Sequence, residues 1–379
     1  MQPWPRRRHR VTLDHTVRRR GGPMKAARFH GPGDIRIDEV PDPRVGPGQV
    51  EVSVDWCGIC GTDLHEYLEG PIFIPPAGSP HPLTGVGLPV VMGHEFAGVV
   101  SAVGPGVTGI AEGDRVAVEP YHVCGKCAAC QAGRYNICRN LGFIGLSGNE
   151  GGFAERCVVD QRWIHQLGDL PTDIGALVEP LAVGYHAVRL SGIPEGGTAA
   201  VYGAGPIGLV TAAALKARGA GRVIVVEPAA ARKAKAGPAG ADVIIDPTTD
   251  DATEAIRDLT EGAGADVAFE CAGIDAVLAS AISSVRPGGT VVNVAIWGHV
   301  PRVTVNDLVM SEINLVGSLA YCGDHAGTIA LLREGKVDAS KFITGRIALD
   351  DLVDGGFREL IDNKEDNVKI LVSPRERLA

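Results

Sequence analysis

The chain has 379 residues, 45% of them hydrophobic and 51 of them glycine, with a formal net charge of −9. That is apolar material enough to bury a large core without disulfide staples, and length enough for two domains. An acidic body lacks the surplus of Lys and Arg that neutralises a phosphate backbone, which excludes general nucleic-acid binding, and no run of about 18 apolar residues marks a membrane span.

Residues 1–23 depart from that average: seven arginines and one aspartate give a local charge of +6. The segment has the arginines of a targeting sequence but not the apolar stretch that secretion requires. We read it as a disordered basic tail or a mis-assigned start, because a second methionine, Met24, opens the strand-like "MKAARFHGPGDIRIDEVP". The expected setting is cytoplasmic and reducing.

Two stretches follow that carry metal chemistry, "DWCGICGTDLHEY" (55–67) and "PVVMGHEFAGVVSAVGPGV" (89–107). A catalytic zinc ion takes about three protein ligands and keeps one position open. Cys60, His94 and Glu95 are chemically suited to that set. Thr62, Asp63 and His65 add a hydroxyl, an outer carboxylate and an imidazole close to Cys60, the surroundings that metal ligands need. Cys57 and Cys60 also form a Cys-x-x-Cys pair, which in isolation suggests thiol–disulfide exchange; these neighbours weigh towards metal.

In "CGKCAACQAGRYNIC" (124–138), cysteines stand at Cys124, Cys127, Cys130 and Cys138. With thiols reduced, the spacing fits a closed tetrahedral zinc site, with iron–sulfur ligation as the rival that uses the same ligands. Such a site stabilises a lobe and does no chemistry. Further on, Glu179 in "GALVEPLAVGYHAV" stands at a helix start among apolar residues, where a carboxylate is costly to bury. It is a further candidate ligand.

Residues 198–227 read as strand, tight turn, helix and second strand. Gly203, Gly205 and Gly208, with Pro206 and Ile207 between the last two, form G-x-G-x-x-G, which lets backbone approach a pyrophosphate at a helix N-terminus. Glu227 ends the next strand, where a carboxylate accepts hydrogen bonds from both ribose hydroxyls and repels a 2′-phosphate. NAD is therefore expected over NADP, with Arg232 and Lys233 just beyond as the residues that could soften the choice. Apolar, β-branched runs from Ala241, Ala265, Gly289 and Ile313 continue a parallel sheet buried on both faces. Gly237 and Pro238 should end or kink the helix after Glu227. Cys157, Cys271 and Cys322 are read as small core residues.

Two candidate zinc sites and a dinucleotide fold in one chain resemble the zinc-containing medium-chain alcohol dehydrogenases over roughly residues 24–373. "GHEFAGVVSAVGPGV" looks like that family's zinc signature. "CGICGTDLHEYLEGPIFIP", "HPLTG", "GFIGLSG", "GGFAE", "ALVEPLAV" and "NVKILV" are similar to its 2,3-butanediol dehydrogenases. The resemblance implies an α/β chain: a doubly wound Rossmann domain at 182–322, set into a mainly β, GroES-like distorted barrel made of 24–181 and 323–379. It implies Cys60, His94 and Glu179 as ligands of a catalytic zinc, Glu95 beside the metal and able to exchange with Glu179, and a second, structural zinc on the four cysteines. It implies hydride transfer from a diol such as 2,3-butanediol to NAD, giving acetoin, with acetoin or diacetyl reduced in the reverse direction. Thr62 would take the proton first and His65 pass it to solvent. Dimers or tetramers are implied, with an interface near residues 289–319. A sorbitol-type polyol dehydrogenase is the rival within this chemistry, and a zinc-bearing nucleic-acid binder the rival outside it.

Overall fold

The structure, a computed structural model, describes residues 22–375. The expected basic tail therefore lies outside the described residues except for its last two positions.

A seven-stranded sheet organises the first half of the chain. Its order is Ile164–Gln166, Arg115–Val118, Glu95–Val103, Gln49–Gly58, Lys369–Ser373 and Ile343–Ala348, with Arg156–Asp160 also paired to Gln49–Gly58. Two of these strands come from the end of the chain: Val372 pairs with Cys57 and Leu371 with Gly58, antiparallel. A smaller sheet of Asp34–Val40, Met24–Gly31 and Val90–Val91 lies alongside. Alternating apolar residues of these strands (Val50, Val52, Val54, Phe96, Val100, Val116, Val118) meet in one core, all of them essentially buried. Each such side chain contributes about 1.5–3 kcal/mol by leaving water.

The second sheet has six parallel strands, in the order Val243–Ile245, Arg222–Val226, Thr198–Tyr202, Ala265–Glu270, Val285–Asn293, Asn314–Gly317. Chain order reverses between Thr198–Tyr202 and Ala265–Glu270, the switch point at which doubly wound sheets open a crevice for ligands. The helix after Glu227 spans Ala230–Ala236 and stops at Gly237, where the following proline forbids its continuation. The run from Ile313 differs from expectation: Asn314–Gly317 is an edge strand with mostly exposed side chains, because no strand among the described residues pairs beyond it. Cys322 is not a core residue either; it lies in the loop beyond that strand and its thiol donates to the Gly133 carbonyl at 3.0 Å, beside the four-cysteine lobe.

Helix Val178–Ser191 joins the halves. Leu177, Val178 and Leu181 share a core with Ala97 and Ala117 of the first sheet and with Leu209, Val223 and Phe269 of the second half. At Gly184 a Cβ would sit 2.8 Å from the Val210 backbone, so only glycine allows this helix to lie so close to Pro206–Ala217. A further clasp is ionic: Asp324 binds His186 at 2.7 Å and Arg189 at 2.8 Å.

Candidate active site

Cys60 stands at the junction of strand Gln49–Gly58 and helix Gly61–Glu69, where it caps the helix and its amide donates to Asp63 Oδ2 at 2.9 Å. His94 and Glu95 arrive on the start of the neighbouring strand, and the ligating atoms of Cys60, His94 and Glu95 lie within 4.8 Å of one another. Asp63 Oδ1 is 3.5 Å from His94 Nδ1, and both atoms are buried without a hydrogen bond. This pair can fix the orientation of His94 once its ring is held by a metal. Burial works against a charged His94, but Asp63 and Cys60 outweigh it and hold its pKa well above the ordinary value. Asp63 and Cys60 thus favour positive charge at the His94 ring.

Glu179 occupies the first turn of helix Val178–Ser191 and is buried. It does not belong to the 4.8 Å group of Cys60, His94 and Glu95, yet it feels both His94 and Glu95: burial first, then the Glu95 charge, push its carboxyl up to about 7. The buried Tyr321 hydroxyl is within electrostatic reach of Glu179 but makes no hydrogen bond of ordinary geometry. Glu95 is engaged by a residue whose role the sequence reading missed. Lys369 Nζ lies 2.7 Å from each carboxylate oxygen of Glu95 and 3.0 Å from the Ile59 carbonyl. Burial alone would lower that ammonium, but Glu95 and Cys60 hold it above its usual value. The signal available was one lysine inside the apolar "NVKILV". On helix Gly61–Glu69, Thr62 is half-buried near Cys60 and His65 is exposed.

The four thiols of Cys124, Cys127, Cys130 and Cys138 form a closed group with separations of 3.5 to 4.0 Å. These bracket the edge of about 3.8 Å for a tetrahedron with Zn–S near ~2.3 Å, and all four cysteines are free of disulfides. Amides assist: Cys127 N donates to Cys124 Sγ and Cys124 N to Cys138 Sγ, each at 3.3 Å. Backbone donors bring the Cys127 thiol down to about 6.

At the nucleotide crevice Gly203 has a φ of +96°, and a Cβ on Gly208 would strike the Gly203 carbonyl at 1.8 Å. Gly205 faces open space, with nothing within 4 Å of a notional Cβ, so backbone there is free to meet a ligand. Pro206 and Ile207 open helix Pro206–Ala217. Glu227 is buried at the end of its strand, its carboxylate accepting the Ala204 amide at 2.7 Å and the Ala229 amide at 2.9 Å. Arg232 lies 3.9 Å from Glu365, and Lys233 is ion-paired with Asp246. Both cations thus have anionic partners in the protein.

Residues 46–169 match the family described as alcohol dehydrogenase GroES-like domain, and residues 206–334 the family described as zinc-binding dehydrogenase. A (R,R)-butanediol dehydrogenase of Neisseria gonorrhoeae is 51% identical over 93% of this chain and 99% of its own. The crystal structure of 2R,3R-butanediol dehydrogenase from Bacillus subtilis superposes with a TM-score of 0.87 at 46% identity, covering 93% of this chain and 100% of that one. A sorbitol dehydrogenase of Bacillus subtilis is 36% identical over 96% of this chain and 99% of its own. The paired domains and these whole-length likenesses agree with the site geometry, and the chain belongs to the zinc-containing medium-chain alcohol dehydrogenase family.

Proposed function

We propose that this chain is a 2,3-butanediol dehydrogenase, interconverting (R,R)-2,3-butanediol and acetoin with NAD as the hydride acceptor. The observation that carries the reading is the cluster of half-buried Cys60 with buried His94 and Glu95, and Glu179 beside it on the helix that packs against the dinucleotide turn. It is supported by relatives named for this diol at 46–51% identity, against 36% for the sorbitol dehydrogenase.

In this reading Cys60, His94 and Glu179 hold the catalytic zinc, Glu95 stands by as an exchangeable carboxylate, and Cys124, Cys127, Cys130 and Cys138 hold a structural one. A zinc ion held there would supply Lewis acidity towards an alcohol oxygen, and a nicotinamide in the crevice would supply the hydride acceptor. The protein does the rest. Asp63 fixes the His94 ring, and Thr62 receives the hydroxyl proton and passes it towards exposed His65 and solvent. Amides at the Gly205–Gly208 turn meet the pyrophosphate, while Glu227 accepts the ribose hydroxyls through the lone pairs its amide bonds leave free. The reaction removes one hydride from carbon and one proton from oxygen, leaving a hydroxyketone.

Residues 24–181 and 323–379 would form the catalytic domain and 182–322 the nucleotide domain. Two copies would pair along the edge strand Asn314–Gly317, where exposed Val305, Val309 and Met310 offer apolar surface. A cytoplasmic location accords with nine free cysteines, and among the described residues no helix is long and apolar enough to cross a membrane.

The test is NADH formation from separate (R,R), (S,S) and meso 2,3-butanediol, beside sorbitol, with and without chelator. Chelator-sensitive turnover that is fastest with the (R,R) isomer is expected. Faster turnover of sorbitol would replace the substrate.

A further inference from the structure

A third cluster of ligating side chains lies outside both cysteine-bearing sites and has no part in the proposed reaction. Glu119 follows strand Arg115–Val118, His165 is the middle residue of the adjoining strand Ile164–Gln166, and His325 opens helix His325–Arg333. Three distant stretches of chain thus converge where the edge of the seven-stranded sheet meets a helix that follows the parallel sheet. Their ligating atoms all lie within 4.8 Å of one another.

The geometry is close to that of a coordination shell. Glu119 Oε2 is 2.8 Å from His165 Nε2 and 3.9 Å from His325 Nδ1. A tetrahedral cation with bonds of ~2.0–2.2 Å to nitrogen and oxygen needs donor separations of about 3.4 Å, which those two distances bracket. The two imidazoles face one another, centroids 4.9 Å apart.

His325 is the second, independent sign. It is 0% exposed, and neither of its ring nitrogens makes a hydrogen bond of ordinary geometry, although the Val118 backbone is close enough to act on the ring. A buried polar group left without a good hydrogen bond is costly, so this ring calls for an occupant at one of its nitrogens. Burial pushes the imidazole down to about 3, which leaves it neutral with a lone pair to give. Glu119 is held as a carboxylate, and its other oxygen accepts the Tyr135 hydroxyl at 2.6 Å, the outer bond that orients a ligating carboxylate.

We propose that Glu119, His165 and His325 bind a further divalent cation of the zinc class, stapling helix His325–Arg333 to the edge of the seven-stranded sheet. Two imidazoles and one carboxylate are a donor set that suits zinc, with a fourth position left for water. On binding, the hydrogen bond from His165 to Glu119 gives way to two metal bonds, and the imidazole proton moves to the other ring nitrogen.

The experiment uses full-length enzyme saturated with Zn2+, desalted and counted by mass spectrometry as ions per chain, for wild type, His165→Asn and Glu119→Gln. Each variant should hold one ion fewer than wild type at unchanged far-ultraviolet circular dichroism; equal counts overturn the proposal. The difference reads this site alone, since both variants keep Cys60, His94, Glu179 and the four cysteines, and butanediol turnover is followed separately. If the variants fail to fold, cobalt titration of wild type decides. One equivalent must add d–d absorption without thiolate charge transfer, and its absence overturns the site, because every other such cluster among the described residues contains cysteine.

Discussion

Lys369 and Glu95 are 274 positions apart in sequence and form a buried ion pair in which one ammonium contacts both carboxylate oxygens at 2.7 Å. Removing one partner strands the other charge in a dry site, a loss of about 3–5 kcal/mol. Lys369→Met should therefore lower stability by that amount. Adding Glu95→Gln should recover at least ~1 kcal/mol of it, as read by urea unfolding of the four proteins in the cycle. Simple additivity would mean that the pair is not coupled.

Glu227 gives a prediction about cofactor choice. Glu227→Ala removes an acceptor for the ribose hydroxyls and a like charge facing any 2′-phosphate. The kcat/KM for NAD should fall about 10- to 100-fold, the equivalent of ~1.5–3 kcal/mol, while the NADP to NAD ratio rises. Steady-state kinetics with both cofactors checks it, and an unchanged ratio refutes it.

The four-cysteine lobe should behave as a folding device. Cys127→Ser opens the closed shell, so the protein should lose one zinc per chain and melt at lower temperature. The fraction still folded should keep its kcat, since none of these thiols touches substrate. Zinc counts beside thermal denaturation and active-site-normalised rates provide the check.

Acid should loosen the clasp between the joining helix and the loop before His325. Burial opposes ionisation of Asp324, but the bonds from His186 and Arg189 bring its carboxyl to about 2, below the ordinary 3.8. A lowered folded pKa gives stability that is complete above the unfolded value and disappears as pH falls through the folded one. The gap between wild type and Asp324→Asn should be about 1–2 kcal/mol at pH 5, allowing for screening of half-exposed Arg189. It should shrink towards pH 2, as urea midpoints across that range would report.

Much of the fold was legible because its signals are local. The glycine turn, the cysteine quartet and the helix stop at Gly237 are each written within a few residues, and so is the approach of Cys60 to Asp63. Lys369, Tyr321 and the Glu119 cluster were not legible, since their partners lie far along the chain and a single buried lysine or histidine looks like an ordinary core exception. The strand after Ile313 misled for a related reason: an apolar run is the same whether a sheet neighbour or another molecule covers it. Cys322 was placed by tertiary packing against Gly133, which no periodicity encodes.

The strand Lys369–Ser373 lies inside its sheet, between Ile343–Ala348 and Gln49–Gly58, although it is made after every other described strand. A ribosome adding about 5–20 residues per second leaves Gln49–Gly58 without that neighbour for roughly 15–60 s, and over the same interval Glu95 has no counter-ion. The parallel sheet, whose strands are all complete by Gly317, can close before then. The crevice of the parallel sheet can thus form before the pocket around Cys60, and a chain cut before Lys369 should fold its parallel sheet while Gln49–Gly58 lacks a neighbour and Glu95 lacks its lysine.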